Sequence, residues 1–298
     1  MKKLTVVISL LLLVAAGAMA QSPPTLRIVT EDPNLPSELF YGNVKVKPVR
    51  VRPGTNTPIT IDDLDFLVSQ HYIDFLSRFP EQAGFNSWMT YLNGCNGDSN
   101  CLYGQNGRRT IASAGFFGSQ EFNLKGGYVF RFYRASFGQD FAKLPKYVDM
   151  VAGMRAVTGQ TAAETNQKRA DFAAGWVLRS DFLTQFPQSL TPTQFVDNIS
   201  AKAGITLSNR SQIISNLTAA GNTDAARGVA MQAIADSTEE QNKEFNPSFV
   251  YMQYVGYLRR DPEEGGYNNW LTYLNTHPGE QNTMVWGFLD SAEYRNRF

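Results

Sequence analysis

The apolar residues of this chain follow a helical period in two stretches that are far apart in the sequence. In each stretch, four apolar or tyrosine residues fall at i, i+4, i+7 and i+8: Val68, Tyr72, Phe75 and Leu76 in the first, and Val250, Tyr254, Tyr257 and Leu258 in the second. Residues with this spacing lie on one face of a helix. Both stretches are therefore predicted to be amphipathic helices with a buried face.

A proline-containing break and a second helical pattern follow each stretch. Residues 72–93 align without gaps on residues 254–275, and 12 of the 22 positions are identical, which indicates an internal duplication. In the later copy Asp261 is expected to cap the second helix, with Pro262 at its first position. Phe79 takes the capping place in the earlier copy. The repeated unit is predicted to be a helix, a tight corner and a second helix.

A short pattern of two apolar residues, a serine and an acidic residue recurs at residues 116–122, 176–182, 234–240 and 288–294. The predicted fold is therefore all-α, an array of about four helical-hairpin repeats packed together. A signal peptide and a Pro-rich extended N-terminal segment precede the array. The predicted boundaries are the signal peptide at 1–20, an extended or partly disordered linker at 21–61, and repeats at 62–122, 123–186, 187–245 and 246–298, of which the third is degenerate.

The first twenty residues have the three parts of a secretory signal. Lys2 and Lys3 precede an apolar run, and Ala18-Met19-Ala20 offers a cleavage site after Ala20. We expect a secreted or periplasmic protein with no membrane span in the mature chain. Between Ser22 and Thr60 the prolines preclude a long helix, so a linker or a polar edge strand is favoured there over a binding arm.

The charge balance and the rare residue types exclude several classes of function. The 298 residues carry 27 basic and 27 acidic side chains, which argues against a nucleic-acid partner. Two cysteines and two histidines leave little for a zinc site. In an oxidising compartment Cys95 and Cys101 are predicted to form a disulfide across a turn-forming stretch. The alternative is that Asp98 and its neighbours bind calcium, although the spacing of an EF-hand loop is missing.

The duplicated segment contains the residues that most resemble a site: Trp88, Trp270, Arg78 and Arg260. One interpretation makes the aromatic residues a sugar-stacking platform and the arginines anion clamps. The other places the aromatic residues in the core between hairpins and lets each arginine bridge its helix corner. The second interpretation is favoured, because these residues share a stripe with the leucines.

Catalytic chemistry has few candidates in this sequence. Glu81 and Glu263 recur after the prolines and could form an acid/base pair of the glycosidase kind, but the helix dipole explains their position equally well. His71 and His277 are expected to be ordinary surface or half-buried residues. We therefore predict no catalytic, cofactor-binding or metal-ligating residue.

The repeated motif resembles that of a bacterial repeat family, the "domain of unknown function 4214" family. The motif consists of an apolar helix with Tyr72 or Tyr254, an R-x-P-x-x-x-G corner, a tryptophan-centred helix and a closing S-x-E-aromatic element. The residues that carry it are Arg78, Pro80, Gly84, Trp88, Ser119, Glu121 and Phe122 in the first unit, and Arg260, Pro262, Gly266, Trp270, Ser291, Glu293 and Tyr294 in the last. The resemblance implies helical repeats and export, and it supplies no catalytic residue.

Together these observations predict an exported, non-enzymatic helical-repeat protein. It is expected to act as a cell-surface, matrix or binding module whose partner is a protein or glycan of the cell envelope or extracellular space. The alternatives are a carbohydrate-binding protein that uses exposed aromatic residues, and a carbohydrate-active enzyme that uses two carboxylates.

Overall fold

The computed structural model describes residues 26–29, 38–41, 43–45, 50–55 and 57–298. The predicted signal peptide and its cleavage site after Ala20 lie outside these residues. Three short strands form an antiparallel sheet in the order β1-β2-β3: β1 Leu26–Val29, β2 Glu38–Tyr41 and β3 Val44–Lys45. Leu26 pairs with Tyr41, and Phe40 pairs with Lys45. The strands of the Pro-rich segment that the structure describes are therefore extended, with β3 at one edge of the sheet.

From Leu64 onward the chain is helical, as the periodicity predicts. The first half contains α1 Leu64–Leu76, α2 Gln82–Asn93, α3 Ser99–Leu102, α4 Arg108–Phe117, α5 Gln120–Phe122, a π-helical segment Asn123–Gly127, α6 Tyr128–Phe137, a 3-10 turn Phe141–Lys143, α7 Tyr147–Ala156 and α8 Ala162–Trp176. The second half contains α9 Ser180–Gln185, α10 Pro192–Ala203, α11 Arg210–Ala219, α12 Asp224–Ala235, α13 Thr238–Lys243, α14 Phe245–Gln253, a second π-helical segment Tyr254–Leu258, α15 Glu264–Thr276, α16 Gln281–Leu289 and α17 Ala292–Arg295.

The serine of the recurring pattern begins a helix. The Ser119 hydroxyl accepts a hydrogen bond from the backbone N–H of Phe122, and Ser237 and Ser291 cap α13 and α17 in the same way. The helix that starts after Ser119 continues without a break from Gln120 to Phe137. It therefore runs across the predicted boundary between residues 122 and 123.

The first and fourth units each contain a further helix after the predicted pair. In the first unit α4 follows α1 and α2, and in the fourth unit α16 follows α15 at the equivalent place. Trp88 on α2 stacks on Phe116 of α4, with ring centroids 5.4 Å apart. Each unit is thus a hairpin closed by a further helix.

The capping prediction at the two corners is wrong. The second helices begin at Gln82 and Glu264, two residues later than expected, and neither has a side-chain cap. Phe79 has no polar atom with which to cap, and Asp261 accepts a hydrogen bond from the backbone N–H of Tyr147 instead.

The first and fourth units pack directly against each other. The ring of Phe75 lies 5.0 Å from that of Tyr257, centroid to centroid, and packs where Gly256 has no side chain. The carboxylate of Asp74, only 1% exposed, accepts hydrogen bonds from Arg259 and Arg297, each 3.0 Å long. The ends of the repeat region therefore meet.

Cys95 and Cys101 form the predicted disulfide, with Cα atoms 5.6 Å apart. Asp98 between them caps α3 by accepting a hydrogen bond from the backbone N–H of Asn100. The disulfide thus closes a capped turn, and a disulfide fits an oxidising compartment. Within the described part of the chain, no helix has the length and apolar character that crossing a membrane requires.

Candidate functional site

The first corner, residues 77–81, brings the motif residues of the first unit into one cluster of contacts. The guanidinium of Arg78 donates to both carboxylate oxygens of Glu121, at 2.6 and 2.7 Å. It also donates to the carboxylate of Glu81 and to the carbonyl oxygen of Phe79. Its carbon Cζ lies 4.8 Å from the ring centroid of Tyr72. Arg78 thus joins the first helix, the corner and the start of the helix at Gln120, which is the bridging role expected from its fork of donors.

Glu121 is the acceptor at the centre of this cluster. Besides Arg78, it accepts a hydrogen bond of 2.6 Å from Nζ of Lys125, which is itself almost completely buried. Burial works to raise the pKa of the Glu121 carboxyl, but the hydrogen bonds from Arg78 and Lys125 outweigh it and lower the pKa below its ordinary value. The carboxylate therefore stays ionised and paired.

The fourth unit repeats the cluster. Arg260 donates to Glu293 at 2.6 and 3.1 Å and to Glu263 at 2.6 Å. The Tyr254 hydroxyl donates to Glu263 at 3.3 Å. In both units the residue before the arginine has a positive φ, 55° at Ser77 and 53° at Arg259, so the two corners share one backbone path.

Steric contacts explain why the corner motif contains a glycine. A Cβ placed on Gly84 would collide with the hydroxyl of Tyr72 and the carboxylate of Glu81, and one on Gly266 would collide with Tyr254 and Glu263. Only glycine leaves room for these two polar groups at the start of the second helix. The proline of the motif, Pro80 or Pro262, lies just before that helix.

Both motif tryptophans are half-buried and pack against the edge of the hydrophobic core. Trp88 lies over Gly115 and against Phe116, and Trp270 lies near Gly287 with its ring 6.2 Å from that of Phe288. Each indole therefore fastens the third helix of its unit to the second. Neither indole lines the cleft that the first corner borders.

A cleft of about 1060 Å³ opens beside the first corner. One wall is the corner itself, residues 77–81, with Ile73 from the end of α1. A second wall is the start of the long helix, including Gln120, Glu121 and Lys125. The third wall is the N-terminal end of α8 and the residues before it, 159–166. The cleft is thus formed by two adjacent units, and sequence reasoning on single repeats did not find it.

Phe79 is the most exposed large apolar residue among those described. It is 79% exposed at the rim of the cleft. The equivalent residue of the fourth unit, Asp261, binds the backbone N–H of Tyr147 and lies 3.3 Å from Nζ of Lys146. The start of α7 therefore contacts the second corner through Asp261, whereas Phe79 at the equivalent place of the first corner is exposed.

The charged side chains that line the cleft are already paired with each other. Arg78 is bonded to Glu81 and Glu121, and Lys125 is bonded to Glu121 and to the carbonyl oxygen of Leu76. Three side-chain amides in the walls, those of Gln120, Gln160 and Asn166, form no hydrogen bond within the described chain. The charges in the cleft walls are therefore balanced, and these amides are among its unpaired polar side chains.

The other titratable candidates lie elsewhere. His71 is completely buried among the rings of Phe75, Phe116 and Tyr257, and neither ring nitrogen has a hydrogen-bond partner within the described chain. Burial lowers the pKa of its imidazole to about 3. His277 is exposed in a turn and stacks on Tyr273.

Glu240 is a buried carboxyl group outside the cleft. Burial, together with the nearby Glu244, raises its pKa to about 8. Glu81 and Glu263, considered as an acid/base pair, are each held by the arginine of their own corner. Among the residues described, no group of three or more His, Cys, Asp or Glu side chains is arranged to hold a metal ion.

In the comparison with known families, the C-terminal quarter of the chain matches a family. Residues 227–298 match the family described as "Domain of unknown function (DUF4214)". The DUF4214 match begins at α12 and contains the whole second corner, including Arg260, Gly266 and Trp270. The first corner lies outside the matched range and repeats the residues of the second corner. No curated protein matches the chain, and no solved structure matches it.

Proposed function

We propose that this chain is an exported, non-catalytic binding module whose partner occupies the cleft beside the first corner. The single observation that carries the proposal is the difference between the two corners. They share backbone path, arginine fork and glycine. In the second corner, however, Asp261 is bonded to the start of α7, whereas the first presents the exposed Phe79 at the rim of an open cleft.

Export is supported by two independent features. The first twenty residues have the pattern of a secretory signal, and the Cys95–Cys101 disulfide is of the kind that persists in oxidising compartments. A periplasmic or extracellular location places the cleft where envelope and matrix components are available.

A non-catalytic role is supported by the state of the polar groups. The recurring carboxylates of Glu81 and Glu263 are bonded to different arginines in different units, and the buried His71 has no polar partner in the described chain. A glycosidase pair requires both carboxyl groups beside one bond, and Glu263 does not line the cleft that Glu81 lines.

The proposal is tested by producing the full chain in a bacterial host and following its export and its binding. We expect a mature form that begins at Gln21 in the periplasm or the medium, and saturable binding of this form to washed cell-envelope material. Phe79→Ala should weaken the binding, while Phe245→Ala, which removes a phenylalanine that is 52% exposed outside the cleft, should not. An uncleaved chain in the cytoplasm, or equal binding by both variants, would contradict the proposal.

A further inference from the structure

We infer that the cleft beside the first corner binds a neutral oligosaccharide. The Phe79 ring would provide the stacking surface, and the amides of Gln120, Gln160 and Asn166 would provide the hydrogen bonds. This inference rests on the proposed function and names the chemical class of ligand for the same site.

The size and shape of the cleft suit a ligand of several sugar rings. Ligand sites in proteins are typically concave, with volumes of roughly 300–1,000 Å³, and this cleft reaches about 1060 Å³. An exposed aromatic face offers a flat apolar surface, and the carbon-bound hydrogens of a pyranose ring present a matching one. Phe79 is the residue in the cleft walls placed to make this contact, since its side chain is 79% exposed.

The charge arrangement selects against ionic ligands. The two cations in the walls, Arg78 and Lys125, are bonded to the two anions, Glu81 and Glu121. An anionic ligand would have to displace a carboxylate from Arg78. A cationic ligand would be repelled by the guanidinium of Arg78 and the ammonium of Lys125, which already neutralise the two carboxylates. A neutral ligand leaves all three ion pairs intact and loses no charge–charge energy on binding.

The free polar groups of the cleft match hydroxyl groups. Each side-chain amide of Gln120, Gln160 and Asn166 carries two N–H donors and one carbonyl acceptor, and none of them is used within the described chain. A sugar hydroxyl both donates and accepts, so pairs of neighbouring hydroxyls can satisfy both sides of an amide. Because the three amides come from two units, they would bind successive rings along the cleft.

A peptide is the competing occupant, and the walls lack the features that peptide recognition uses. The cleft is built from a corner and helix ends, so it offers no open sheet edge for strand addition. Its apolar residues are interrupted by the paired charges, which prevents a continuous groove for an amphipathic helix. A single exposed ring also falls short of the aromatic-lined groove that proline-rich segments require.

The test is a glycan microarray that contains neutral and anionic oligosaccharides, probed with the purified exported chain, followed by titration calorimetry on the best glycan. We expect binding to at least one neutral class of oligosaccharide with several sugar rings. In calorimetry, Phe79→Ala and Asn166→Ala should each weaken binding by about tenfold, while Phe245→Ala leaves it unchanged. All three variants should keep the wild-type melting temperature, because these side chains are exposed.

Three results would overturn the inference: no neutral glycan bound, binding confined to anionic glycans, or unchanged affinity in Phe79→Ala. These results are separable from failure of the proposed function. If envelope material binds in a Phe79-dependent manner but treatment with protease abolishes that binding, the ligand is a protein; the binding module then stands and the glycan inference falls.

Discussion

At the scale of single residues, Gly266 and Gly84 show why the corner motif contains a glycine. Gly266 is packed against the Tyr254 hydroxyl and the Glu263 carboxylate, whereas its neighbour Gly265 has no other atom within 4 Å of where a Cβ would lie. Gly266→Ala should therefore lower the free energy of unfolding by about 1–3 kcal/mol. Gly265→Ala should raise it slightly, because alanine favours the helix over glycine.

Chemical denaturation of these two variants checks the prediction with a matched pair of adjacent sites in one helix. Equal effects of the two substitutions would show that the Tyr254 and Glu263 contacts do not constrain the corner.

His71 should make the stability of the chain depend on pH. Its imidazole remains neutral in the folded chain, with a pKa of about 3, but takes up a proton in the unfolded chain below about pH 6.5. The unfolded state then binds more protons than the folded state, so the free energy of unfolding falls as the pH drops from 6.5 towards 3.

His71→Leu should remove this contribution. Between pH 6 and pH 5, the loss of unfolding free energy should be smaller in the variant than in the wild type by about 1 kcal/mol. His277→Gln, which alters an exposed side chain, should keep the wild-type slope. Parallel stability–pH curves for wild type and His71→Leu would contradict the buried, neutral state of His71.

At the scale of elements, the helices and the corners differ in how far they follow from the sequence. The spacing of the apolar residues predicts the helices, because burial of one helix face requires that spacing. The same spacing does not predict that the second helix begins at Glu264. The side chain of Asp261 bonds to α7, which is distant in sequence, and does not cap that helix. The segment Tyr254–Leu258 is π-helical, whereas the aligned residues 72–76 belong to α1, so the repeat pattern does not predict the π-helix.

The serine of the recurring pattern offers a test at this scale. Ser119 caps the helix that links the first two units and is bonded to both Phe122 and Phe116. Ser119→Ala should lower the free energy of unfolding by about 1 kcal/mol. Ser119→Asp, which can still cap the helix, should retain most of the stability. The same loss in both variants, measured by denaturation, would show that capping is not the role of Ser119.

At the scale of the whole molecule, the contact between the first and fourth units could not be read from the repeats. Each repeat predicts its own helices, but which repeats meet depends on residues such as Asp74, whose equivalent in the fourth unit is Gly256. The cleft was missed for a related reason: its walls come from two units. A signal was present in Phe79, an apolar residue at a position where a capping residue was expected.

The buried ion pairs of Asp74 are predicted to hold the two units together. Asp74→Ala would leave Arg259 and Arg297 without their shared carboxylate, and it should lower the free energy of unfolding by about 3–5 kcal/mol. Asp197→Ala removes the carboxylate of an exposed pair with Arg210 and should change stability little. Similar melting temperatures for the two variants would mean that Asp74 contributes no more than a surface pair.

The proposed function depends most on where along the chain a ligand binds. Hydrogen–deuterium exchange should be measured on the exported chain with and without washed cell-envelope glycan. We predict slower exchange in residues 73–81, 120–125 and 159–166, and unchanged exchange at the second corner, residues 259–263. Protection at the second corner, or none in the three segments of the cleft, would contradict the assignment of the first corner as the binding site.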